Sequence, residues 1–123
     1  MPPVRLVLFA HGSADPSWRA PFEALHRDLV RMHGEGTVSL AYMEFAEPSL
    51  LDVGAEARHD GVERLRILPL FMAGGAHLRR DLPEQVARLG RRYPELAVDV
   101  LPPIGDDERF QEVLRRIASD ACR

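Results

Sequence analysis

What the chain has little of narrows its function first. It holds a single cysteine, Cys122, so no internal disulfide can form. That usage fits a reducing compartment. The net charge is −3, so no basic footprint points to nucleic acid. No apolar run approaches the roughly 20 residues of a membrane span. No charged N-terminal region followed by a long apolar one marks a secretory signal, and a cytoplasmic location is the expectation. Internal repeats and low-complexity linkers are missing too. What remains is ordinary: 46% apolar, 28% charged, and 123 residues, which predict one domain over 1–123.

The stretch from Leu6 to Ser17, LVLFAHGSADPS, organises the rest. Val4 to Ala10 reads as a strand buried on both faces, and it stops at His11. Asp15 before Pro16 predicts a helix N-cap, with Pro21 tolerable only in the first turn. The predicted inner face is Trp18, Phe22, Leu25, Leu29 and Met32, closed by Gly34, with His26 and His33 on the surface. Thr37 to Phe45 reads as a second strand. A second helix starts at Pro48, assisted by Glu47, with Leu50, Leu51, Gly54 and Ala57 inward and His59 outward. A third strand lies within Glu63 to Phe71, with Pro69 at its end. The loop carrying His77 beyond Gly74-Gly75 reads as flexible, and Asp81 is the expected cap of a third helix reaching about Arg92. Leu96 to Leu101 is a short fourth strand. Asp107 caps a last helix whose inner face is Phe110, Val113, Leu114, Ile117 and Ala121. Strands alternating with helices predict an α/β fold: a four-stranded parallel sheet flanked by helices in three α/β/α layers.

Three ligand-type residues mark the carboxyl ends of the first three strands: His11, Glu44 and His77. They are separated by 33 residues each, about one βα unit. With the strand order 2-1-3-4, their side chains would converge on the edge where open α/β sheets bind ligands. Two imidazoles and a carboxylate suit a borderline divalent ion and leave positions open for exchange. No close-spaced ligand motif accompanies them.

The wording around those residues is distinctive. HGS follows the first strand, MEFAEPSL the second and LPLFMAGGAHLRRDLP the third, with RYPELAVDVLPPIGDD around the fourth. These blocks resemble the CbiX and SirB sirohydrochlorin chelatases in their short, single-domain form. The resemblance implies a chelatase-like fold, half of a flavodoxin-like pair, with His11, Glu44 and His77 as metal site. It implies insertion of Co²⁺, Fe²⁺ or Ni²⁺, as substrate, into sirohydrochlorin, with His11 and His77 catalytic and no organic cofactor. Ser13, Phe45, Met72 and Arg79 would meet the tetrapyrrole, with Arg80, Met43 and Phe71 further candidates. A homodimer is expected, since one lobe leaves the macrocycle's second face uncovered. The rival with the same fold is a non-catalytic carrier of Co²⁺ or Ni²⁺. A phosphate-handling enzyme using His11 as nucleophile fits less well, because Ala10 stands where histidine phosphatases place arginine.

Overall fold

Each apolar run of the sequence pairs with its neighbour in a computed structural model describing residues 3–123, the side chain of His77 excepted. The strands are β1 (Val4–Ala10), β2 (Val38–Tyr42), β3 (Arg64–Pro69) and β4 (Ala97–Val100). The helices are α1 (Pro16–His33), α2 (Leu50–His59), α3 (Ala76–Arg92) and α4 (Glu108–Ala121), with a 3₁₀ turn, η1 (Ile104–Asp106), before α4. The sheet is parallel in the order β2-β1-β3-β4. This is the order on which the convergence of strand ends depended.

The central strand explains the layers. Val7 and Phe9 point to one side, where they join Ala41, Leu50, Val53, Ile67 and Leu89 under α2 and α3. Leu8 and Ala10 point to the other, with Leu40 and Tyr42 against Trp18 and Phe22 of α1. Alternate side chains thus feed opposite cores, as a strand covered on both faces requires. Gly54 matters to the first core, because a Cβ there would press into Leu89 of α3 and Tyr93 just after it. No helix of the described residues is long and apolar enough to cross a membrane.

Several boundaries differ from expectation. In α1, Leu25 and Met32 are exposed, while His26 is half-buried and its Nε2 lies 3.0 Å from the Val38 carbonyl. The helix is rotated so that Val30, with Trp18, Phe22 and Leu29, meets the sheet. Asp15 does cap it, accepting from the Ser17 N–H at 2.9 Å, but Pro21 falls beyond the first turn. β2 ends at Tyr42, so Glu44 and Phe45 belong to the following turn. α2 is started by a capping box of Ser49 and Asp52, not by Glu47 and Pro48, and Val53 joins its inner face.

The largest correction concerns α3. It begins at Ala76 with Gly75 as N-cap, which makes Asp81 and Pro83 interior positions. His77 therefore lies in the first helical turn. Interior proline costs about 3 kcal/mol. Leu78, Leu82 and Leu89 are all buried by this helix. Of these only Leu78 lies in the turn added upstream of Asp81, and its burial contributes roughly 1.5–3 kcal/mol, of the same order as the proline's cost. α4 is capped by Asp107 as expected. Its intended inner face is instead open: Val113, Leu114 and Ile117 are exposed, and the helix packs mainly on η1.

Candidate metal centre

Strand pairing carries His11 and Glu44 to each other. Beyond the ends of β1 and β2 the ladder continues: the Met43 N–H donates to the Ala10 carbonyl at 2.8 Å, and the Glu44 N–H to the His11 carbonyl at 3.0 Å. Both residues lie just past the strand ends, where the regular alternation of faces has stopped, and His11 Nε2 lies 3.0 Å from Glu44 Oε1. Their side chains are 43% and 34% exposed, so a proton or cation reaches the pair from solvent.

The turn is built for this approach. Gly12 has φ +106°, and a Cβ there would overlap the Glu44 carbonyl oxygen. Only glycine supplies both the positive φ and the space. After Glu44 the chain turns through Phe45 at φ 64°, a left-handed conformation uncommon for an aromatic residue. Gln85 of α3 steadies the same turn, its Nε2 donating to the Met43 carbonyl at 3.1 Å. On the other side, Phe71 sits beside the imidazole, ring centroids 6.1 Å apart, and is itself 6.3 Å from Phe9.

The HGS loop is held from α1. Ser13 Oγ accepts from the Asp15 N–H at 3.1 Å, and the Ser13 carbonyl accepts from Arg19 Nη1 at 2.9 Å. The hydroxyl's own hydrogen is not used in that contact. Behind Gly12, the Tyr42 ring is buried, and loss of solvation, helped by Glu23, pushes its phenol above the ordinary value. Arg19, Gln85 and Phe71 were not singled out as supports from the sequence. Their signal is tertiary, because nothing in local spacing reports which distant carbonyl or ring a side chain meets.

The other candidate residues divide. Phe45 is 71% exposed and Met72 62%, two large apolar side chains outside the core. Met43, by contrast, is buried in the core, and Phe71 is half-buried against it. Arg79 and Arg80 are exposed, and Arg80 Nε contacts Asp81 Oδ1 at 3.1 Å. Arg79 also lines a hollow of about 480 Å³ with Leu78, Pro83, Val100 and Pro103. A second concavity of about 390 Å³ runs along the free edge of β2 between α1 and α2, where Arg5 is buried against Gly36 and Asp60. The side chain of His77 lies outside the described residues. Among the described residues, no group of three or more His, Cys, Asp or Glu side chains is gathered. The described part of the centre is thus the imidazole–carboxylate pair, which can hold a proton between its members or face a divalent ion together.

The CbiX family matches this chain over residues 5–121. A sirohydrochlorin cobaltochelatase of Methanopyrus kandleri is 32% identical, the alignment covering 90% of this chain and 92% of that one. The crystal structure of a putative cobalamin (vitamin B12) biosynthesis CbiX protein from Marinobacter aquaeolei superposes with a TM-score of 0.85. It is 35% identical, with 98% of each chain covered. The cobalt complex of the sirohydrochlorin chelatase SirB from Bacillus subtilis shares the fold, with a TM-score of 0.81 at 22% identity. There, 95% of this chain corresponds to 50% of the other. The family match runs from the second residue of β1 to the end of α4, and the chain belongs to the CbiX family.

Proposed function

We propose that this protein inserts a divalent metal ion into sirohydrochlorin, with Co²⁺ the foremost candidate and Fe²⁺ and Ni²⁺ the alternatives. The observation that carries the reading is the His11–Glu44 pair, 3.0 Å apart and half-open at the carboxyl edge of the sheet. Relatives named sirohydrochlorin cobaltochelatase and, in Priestia megaterium, sirohydrochlorin ferrochelatase support it. In this reading the ion displaces the proton shared by His11 and Glu44, with His77 as third ligand. Three ligands leave positions at which pyrrole nitrogens can enter as the two pyrrole protons depart. His11 and His77 accept those protons, a role suited to imidazole. Phe45 and Met72, exposed though apolar, offer the macrocycle a face to lie on, while Ser13 and Arg79 meet its carboxylates. No organic cofactor is needed for the exchange, and the reaction belongs to the cytoplasm.

The same reading includes a homodimer. The exposed apolar stripe of α4 supports it, as does the relative whose chain is twice the length of this lobe. The test combines purified protein and sirohydrochlorin with Co²⁺, Fe²⁺ or Ni²⁺, singly and in competition, following the tetrapyrrole's absorbance. Insertion well above the spontaneous rate is expected. Binding of Co²⁺ with no acceleration for any ion would overturn catalysis and leave the carrier reading.

A further inference from the structure

Between β4 and α4 the chain makes a single 3₁₀ turn, and its middle residue is wedged against the segment that carries Phe71 and Met72. The Gly105 N–H donates to the Phe71 carbonyl at 3.0 Å. A Cβ on Gly105 would run into the Met72 carbonyl, its nearest clearances all falling on Met72 backbone atoms. Backbone cannot swing aside as a flexible side chain does. The Gly105 carbonyl is in turn held by Gln111 of α4, whose Nε2 donates to it at 3.1 Å. Phe71, the residue so pinned, carries the ring that packs beside the His11 imidazole.

We propose that Gly105, fixed by Gln111, is a positioning residue for the metal centre. It sets Phe71, and through that ring the orientation of His11, while also fixing where Met72 stands. The inference rests on His11 being a metal ligand. The need for glycine here is one of space alone, unlike that at Gly12, whose φ is also positive. Contacts that orient a ligating histidine usually change metal affinity by about 10–100-fold when removed. Gly105→Ala must displace the 71–72 backbone, whereas Gln111→Met leaves the glycine in place and removes only its anchor. The larger effect is therefore expected from Gly105→Ala.

The experiment titrates the full chain with Co²⁺ and records the visible absorption envelope of the bound ion together with its affinity. Gly90→Ala is the control, since nothing lies within 4 Å of a Cβ at that position. Gly105→Ala and Phe71→Leu should each weaken Co²⁺ binding roughly tenfold or more and alter the envelope. Gln111→Met should do the same to a lesser degree, and Gly90→Ala should match wild type. In insertion assays KM for the metal should rise more than KM for the tetrapyrrole. If Gly105→Ala does not fold, the Gln111→Met and Phe71→Leu envelopes decide. Folded variants with the wild-type envelope and affinity would overturn the positioning role. A wild-type protein that shows no Co²⁺ envelope would instead overturn the metal-site reading itself.

Discussion

Substituting Gly12 by alanine separates the geometry of the centre from the stability of the fold. Two costs arise. The first is conformational: φ is +106° at Gly12, and holding a non-glycine residue in such a region costs on the order of 1–3 kcal/mol. The second is spatial. The new Cβ overlaps the Glu44 carbonyl oxygen, which has to retreat by an ångström or more to reach the 3.0 Å that real contacts respect. That oxygen is one bond from the backbone carrying the Glu44 side chain, so the carboxylate moves with it. Metal–ligand distances tolerate only about 0.2 Å, and a 1 Å misplacement in a reacting site costs about 10²-fold. Gly34→Ala provides the comparison, because Gly34 has φ +104° with nothing within 4 Å of its Cβ. Both variants should lose several degrees of Tm for the conformational cost, but only Gly12→Ala should lose about 10²-fold in insertion rate and bind Co²⁺ weakly. Thermal denaturation followed by circular dichroism and a Co²⁺ titration measure the two parts. Equal Co²⁺ binding by both folded variants would refute the claim that Gly12 sets the position of Glu44.

His11→Ala and His77→Ala should each lower insertion by roughly 10²–10⁴-fold without unfolding the protein, as read by initial rates with circular dichroism as control. A folded His77→Ala at the wild-type rate would remove that residue from the site. Glu44→Gln should raise KM for the metal more than KM for the tetrapyrrole, and the reverse split would contradict its place beside the ion. Val113→Asp combined with Ile117→Asp should convert a particle of twice 13.8 kDa into one of 13.8 kDa in light scattering, since both side chains are exposed on α4. A wild-type monomer with full activity would dismiss the dimer. At the start of α4, the Arg109 side chain and N–H hold the Asp107 carboxyl down to about 2. A carboxyl depressed in the folded state stabilises it above the unfolded pKa near 3.9, and that contribution fades as pH falls through about 2. Far-UV dichroism of wild type and Asp107→Asn should therefore converge between about pH 4 and pH 2; titrations parallel throughout would exclude the cap's ionisation as the cause.

The parts of the molecule legible in the sequence are those governed by period and punctuation. The doubly apolar run of β1, the existence of β3, the Asp15 and Asp107 caps, Gly34, and Pro69 closing its strand all follow from local rules. So did the juxtaposition of His11 and Glu44, because a βα unit of nearly constant length returns the chain to the same sheet edge. Among the features that were not legible, three show why. Asp81 followed by Pro83 carries every local sign of a helix start, yet burying Leu78 extends α3 upstream to Ala76. Leu25 and Met32 fit the α1 face by spacing alone, but where the helix sits on β2 decides which residues turn inward. The face of α4 is correctly amphipathic, and no rule of periodicity tells whether its counterpart lies within the same chain.

The place of β1 in the sheet has a consequence for how the chain is made. It precedes both of its pairing partners, which lie at Val38–Tyr42 and Arg64–Pro69. At about 5–20 residues per second, ribosomal synthesis leaves this strand without neighbours for several seconds. During that interval Val7, Leu8 and Phe9, fully enclosed in the finished protein, have only solvent or other chains to meet. Nascent chains arrested before β3 should accordingly associate with chaperones or aggregate, while chains arrested after β4 should resist protease. Equal protease resistance at both lengths would show that β1 finds shelter before its second neighbour exists.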